Sequence, residues 1–162
     1  MAARTVRLAG ALIGAALLPL TACDDAPDED RTTTAVQAAR NYQQAGLDQD
    51  YKTVCESTTE RWRRAQHAPT IAECVDLITT RRIGSTEGMR ISTGKPIDLP
   101  AYGSHPAGTG IRVTIGPIGN DMYAHTALRL VPDDDTWLVD QAVNLMDGTD
   151  PTAVREALKR KK

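Results

Sequence analysis

The sequence predicts an α+β domain in which several helices precede an antiparallel sheet. Three observations carry this expectation. Apolar residues recur at helical spacing up to about residue 80, and from residue 84 onward they alternate with period two. Two of the alternating runs are separated only by Pro132-Asp133-Asp134-Asp135, a segment rich in turn formers. A chain of 162 residues is long enough to bury one real core, and one domain is expected. Its net charge of −2 lends no support to nucleic-acid binding.

The N-terminal region reads as a leader. Arg4 and Arg7 form a basic start with no acid before Asp24, and Leu8 to Leu20 is a 13-residue apolar run. A bilayer core needs about 20 apolar residues, so this run suits a secretion signal better than a span. It ends in Leu20-Thr21-Ala22-Cys23, which resembles the bacterial lipobox. In that chemistry the Cys23 sulfur takes a diacylglyceryl group and the chain is cut after the small residue before it. Residues 1–22 are therefore expected to be a signal peptide, and Cys23 the lipid anchor to an extracytoplasmic membrane face. Two or more acyl chains hold firmly where one is marginal. The acidic stretch within 23–32, from Asp24 to Asp30, is expected to form a solvated tether. With Cys23 consumed by lipid, Cys55 and Cys74 remain as an even pair outside the reducing cytoplasm, and a disulfide between them is expected.

The folded part is expected over 33–147. Thr33 or Thr34 can cap a helix to about Ala45, with Gly46 ending it and Ala35, Ala38, Tyr42 and Ala45 on one face. A second helix, Leu47 to Glu56, turns Tyr51, Val54 and Cys55 inward. Ser57-Thr58-Thr59-Glu60 matches a capping box for a third helix to Gln66. After Pro69, the spacing of Ile71, Cys74, Val75 and Ile78 marks a fourth helix and puts Cys74 on its apolar face.

Strands follow. Met89 to Thr93 alternates, and the Pro- and Gly-rich stretch from Pro96 to Gly108 predicts a long loop that ends in a Gly108-Thr109-Gly110 turn. Ile111, Val113 and Ile115 alternate again, and then come Met122 to Val131 and Thr136 to Leu145. If Val131 faces Thr136, then Leu130 meets Trp137, Leu128 meets Val139 and Met122 meets Leu145, all on one apolar face. That register places Thr126 opposite Gln141 on the same face. It sends Tyr123, His125, Arg129, Asp140 and Asn144 to the other. Residues 148–162 are expected to form a short basic helix and tail, capped near Thr149 or Asp150, with Val154 and Leu158 as its apolar side.

The helices-then-sheet order resembles the cystatin-like α+β roll of the nuclear transport factor 2-like superfamily. More narrowly, it resembles small secreted bacterial lipoproteins that carry this roll. The residues behind the resemblance are Ala38-Ala39-Arg40-Asn41-Tyr42, Gly46-Leu47-Asp48-Gln49-Asp50-Tyr51, the pair Cys55 and Cys74, and the run from Asp133 to Val139. The resemblance implies a curved sheet wrapped around a helix, with a cone-shaped pocket. In some members that pocket serves isomerase, cyclase or dehydratase chemistry.

The residues themselves point away from catalysis. His67, His105 and His125 show no metal-ligand spacing, and there is no HExxH motif, GxSxG turn or phosphate loop. No cofactor is expected. Thr126 and Gln141 are the candidate pocket-lining pair; they can hydrogen-bond but cannot act as ordinary general bases near neutral pH. Arg61, Arg63 and Arg64 around Trp62 form a basic cluster, either solvated surface or a dock for an acidic partner. The expected role is a non-enzymatic binding or interaction module of the cell envelope, with an envelope protein or a small apolar ligand as partner. A small-molecule enzyme of the same fold and a purely structural lipoprotein are the alternatives.

Overall fold

The computed structural model describes residues 28–80, 84–118, 120–146 and 151–159. The expected signal peptide, the lipid site at Cys23 and the last three residues of the basic tail lie outside them. Among the described residues, four helices come first: α1 (Asp28–Leu47), α2 (Tyr51–Glu56), α3 (Glu60–Ala65) and α4 (Ile71–Thr79). Five strands follow: β1 (Arg90–Thr93), β2 (Ile97–Leu99), β3 (Gly108–Ile118), β4 (Met122–Asp133) and β5 (Thr136–Leu145). A last helix, α5 (Pro151–Lys159), closes the order. The fold is α+β, with one antiparallel sheet ordered β1-β3-β4-β5 and β2 also paired to β3. No helix among the described residues is long and apolar enough to cross a membrane.

The helix ends correct several boundaries. α1 begins at Asp28, inside the stretch expected to be a tether. It also runs through Gly46 to Leu47. The left-handed cap is Gln49 (φ 59), with Asp50 N–H on the Ala45 carbonyl at 2.9 Å and Gln49 N–H on that of Gly46 at 3.3 Å. α2 therefore starts four residues later than expected, capped by Asp50. α3 is capped by Thr59 and not by a Ser57 box; Ser57 instead closes α2, and Thr58 is buried. The true capping box is Thr70 with Glu73, at the start of α4. α2 and α4 are joined by the Cys55–Cys74 disulfide, 19 residues apart, beside Ala68, Trp62 and Ile71. Closing such a loop is worth about 3 kcal/mol in the chain-entropy picture.

The sheet is covered on both faces. On one, α1 packs Ala35 and Ala39 against Ile111, Val113, Leu128, Leu130 and Val139. The Trp137 indole N–H also donates to Thr34 Oγ1 at 3.0 Å. On the other face, Val154, Ala157 and Leu158 of α5 pack on Ala127 and Leu99, with Val143 and Leu145 alongside. The expected C-terminal helix is thus present as α5, with Val154 and Leu158 on its buried side.

Two further expectations change. β2 lies inside the expected long loop, and Gly108-Thr109-Gly110 opens β3 instead of forming a turn. A side chain at Gly108 would place its Cβ 2.1 Å from the Leu130 carbonyl oxygen, so the strands can approach there only around glycine.

The β4–β5 register also differs. The connection is the two-residue turn Asp134-Asp135, with Asp134 at φ 47, so Asp133 meets Thr136 and Leu130 meets Val139. A bulge follows, and Arg129 then meets Gln141, Leu128 meets Ala142 and Thr126 meets Asn144. Asp140 is the extra residue, and beyond it the two faces of β5 exchange.

Tyr42 packs against the α1 side of the core, where burial pushes its phenol pKa up to about 12 from 10.0. Between those pH values the unfolded chain has lost the proton and the folded chain keeps it, so stability falls as pH rises. At pH 11 this costs the wild-type chain about 1.4 kcal/mol relative to pH 8, a loss that Tyr42→Phe does not suffer. Urea unfolding of both chains at the two pH values checks the difference.

Candidate functional site

Among the described residues, the bulge in β5 is the centre of the cluster of charged-type side chains that the fold buries most deeply. Arg129 and Asp140 are each 1 % exposed. Asp140 and Gln141 both stand opposite Arg129, as a bulge requires, so the carboxylate projects toward the face that α5 and the 100–106 segment cover.

Three side chains meet on that carboxylate. Its Oδ1 accepts from the Arg61 guanidinium at the start of α3 and from Thr59 Oγ1 at 3.0 Å. Its Oδ2 lies 2.7 Å from His105 Nδ1. Thr59 Oγ1 also accepts from the Trp62 N–H at 3.1 Å, so the residue that caps α3 ties the helix to the sheet. Backbone pairing reinforces the tie: Thr59 N–H donates to the Val139 carbonyl at 2.9 Å and Val139 N–H to that of Ser57 at 2.8 Å. Arg61 Nη1 reaches on to the Ser104 carbonyl at 2.6 Å. The turn Tyr102–His105 is closed by reciprocal backbone bonds of 2.9 and 3.0 Å.

Arg129 lies behind this group. Its Nη1 donates to the carbonyls of Pro100 at 3.1 Å and Pro106 at 2.8 Å, holding down the loop that carries His105. Burial pulls its pKa below the ordinary arginine value, and the Asp140 carboxylate opposes that shift while Arg61 adds to it. The buried carboxylate thus offsets part of the cost of sealing a guanidinium in the core.

A groove of about 600 Å³ opens beside the cluster. Arg61 and His105 border it with Trp62 and Ala65 of α3, Ala142 and Val143 of β5, Tyr102, and Ala157 of α5. Its volume falls in the range of small-molecule sites, and its walls are mainly apolar with a few polar groups. Asp140 fixes the His105 ring through Nδ1 and leaves Nε2 as the imidazole's remaining donor or acceptor. The Gln141 Oε1 is shielded from solvent without a hydrogen-bond partner and belongs to the same lining.

The candidate pair from the sequence is divided. Gln141 lines the groove, but Thr126 lies on the α1 face opposite Asn144. The bulge at Asp140 causes this separation. The three arginines of α3 also part ways. Arg61 turns to Asp140, Arg63 donates to the carbonyls of Cys55 and Thr58 to brace the α2–α3 corner, and Arg64 pairs with Glu60 at the surface. Of the histidines, His67 adopts φ 60 just after α3, and His125 Nδ1 lies 2.9 Å from Thr114 Oγ1.

The register expected from the sequence puts Arg129 and Asp140 on the face opposite the apolar one and His105 in a loop, so it does not bring the three together. A signal was present. Ala127, Leu128, Leu130 and Val131 are apolar on both parities around Arg129, which marks a strand buried on both sides. Comparison of the chain with protein-family models, curated proteins and solved structures finds no match.

Asp140→Asn keeps the shape but leaves Arg61 and Arg129 without their countercharge. The expected loss is about 3 kcal/mol in denaturant unfolding, well above that of a surface Asp→Asn change such as Asp133→Asn.

Proposed function

We propose that this chain is a lipid-anchored, extracytoplasmic binding module of the cell envelope, with the groove beside β5 as its ligand site. The groove carries the reading. It joins apolar walls to a small set of oriented polar groups, and the ionic cluster that frames it is costly to bury. The order Leu20-Thr21-Ala22-Cys23 after a short apolar run supports the anchor, and the Cys55–Cys74 disulfide suits a compartment where thiols oxidise.

The same reading takes the domain as a member of the nuclear transport factor 2-like rolls. Support comes from a long first helix laid against an antiparallel sheet whose last three strands are its longest. In this chain Ala35, Ala39 and Tyr42 fill the space between helix and sheet, so the ligand site lies on the opposite face.

A second reading is favoured by one observation, the 2.7 Å contact of Asp140 Oδ2 with His105 Nδ1 at the groove wall. A carboxylate-oriented imidazole is the arrangement of a general base, and a small-molecule enzyme of isomerase or dehydratase type would use His105 Nε2 to move a proton.

Cys23→Ala is expected to shift the protein from the membrane to the soluble extracytoplasmic fraction, whereas Cys55→Ser leaves it membrane-bound; fractionation with a lipid-mass measurement checks both. Native mass spectrometry of the wild-type chain from its own envelope is expected to show retained ligand that Ala65→Trp, which fills the groove from the exposed side of α3, abolishes. Conversion of that ligand by wild type but not by His105→Asn would decide for the enzyme.

A further inference from the structure

β5 is the last strand of the sheet, and its outer edge is only partly covered. Ser57 and Thr59 pair with Val139 in a parallel bridge around Thr58, and the chain then leaves the edge as α3. Val139 therefore directs its N–H and C=O away from β4. In an antiparallel ladder this orientation recurs at every second pair. Leu128–Ala142 and Thr126–Asn144 are the next such pairs, so Ala142 and Asn144 also aim their backbone groups outward. Among the described residues, no backbone hydrogen bond outside the β4–β5 ladder takes up either residue.

Natural edge strands are guarded by Lys, Pro, charge or shortness. Gln141-Ala142-Val143-Asn144-Leu145 has none of the first three, and at ten residues β5 is not short. By contrast, the outer strand β1 has four residues and carries Arg90. Exposure along β5 rises from buried Val139 to exposed Asn144, and the open stretch borders the groove through Gln141, Ala142 and Val143.

Charge selects the occupant. The Arg61 side chain is 35 % exposed and that of His105 26 %, whereas the Asp140 carboxylate between them is 0 % exposed. What reaches the groove is the Arg61 guanidinium and the His105 imidazole, with the Asp140 carboxylate sealed behind.

We infer that this edge takes an extended acidic peptide from a partner protein as an added β-strand, continuing the pairing that Ser57 to Thr59 begin. Main-chain bonds to Ala142 and Asn144 supply the affinity, and an acidic side chain beside Arg61 and His105 supplies the preference. This inference rests on the groove as the binding surface and names what fills it.

The probe is an N-acetylated, C-amidated Thr-Val-Glu-Val-Thr-Val peptide, added to the full chain in detergent and followed by residue-level hydrogen–deuterium exchange. The expected result is at least fivefold slower exchange at the Ala142 and Asn144 amides. Replacing the peptide's Glu by Lys, or N-methylating alternate peptide bonds, should weaken binding at least tenfold. Asn144→Pro, which removes an outward N–H and no β4 bond, should do the same with the Cys55–Cys74 disulfide intact. Equal binding of the Lys peptide, or no protection at millimolar peptide, overturns the inference. So does slowing of the same amides by protein concentration alone, which would assign the edge to a second copy. A retained small ligand displaced by Ala65→Trp, with no peptide protection, would overturn the peptide and keep the groove.

Discussion

The carboxylate of Asp140 is the point on which the rest of the arrangement depends. It sits on the extra residue of a bulge and is closed off from solvent. It receives hydrogen bonds from a helix (Arg61) and that helix's cap (Thr59), and it contacts a loop through His105. Without a bulge, the residue would share one face or the other with regular neighbours, and β5 would keep a single apolar parity. With it, the strand changes parity midway. Trp137 and Val139 serve the α1 core, while Val143 and Leu145 serve the α5 core. One inserted residue thus lets one strand feed two hydrophobic layers and aims a charge at the seam.

Burying that charge is sustained by its surroundings. A lone carboxylate in such a place would cost several kcal/mol, and so would the Arg129 guanidinium behind it. Held together, each offsets part of the other's desolvation, and the carbonyls of Pro100, Pro106 and Ser104 take up further N–H groups. In the loop from Tyr102 to His105, the first three residues are exposed. Its place follows from these polar bonds, and the groove it borders follows from its place.

Much of the architecture was legible in the residues. The change from helical to alternating period located the boundary near residue 84, and the interhelical pairing of Cys55 with Cys74 followed from two apolar helix faces. The helix ends were harder, because Gln49 and His67 take left-handed caps where glycine is the usual residue. The β4–β5 register depended on whether the turn has two residues or four, and a run of three aspartates after Pro132 allows either. The bulge left no local mark at all. Arg129 within a two-sided apolar run was the available clue to a second buried face, and α5, with Val154 and Leu158 in helical register, was the element that covers it.

A double-mutant cycle on Arg61 and Asp140 tests the central claim most directly. Unfolding free energies of the wild type, Arg61→Gln, Asp140→Asn and the double variant isolate the coupling between them. Because Arg61 is partly exposed, the ionic bond is expected to couple by about 1 to 2 kcal/mol, less than a fully buried pair. A coupling of that size, falling only slightly in molar salt, would establish the carboxylate as the tie between α3 and the sheet. Strict additivity of the two single changes would contradict it.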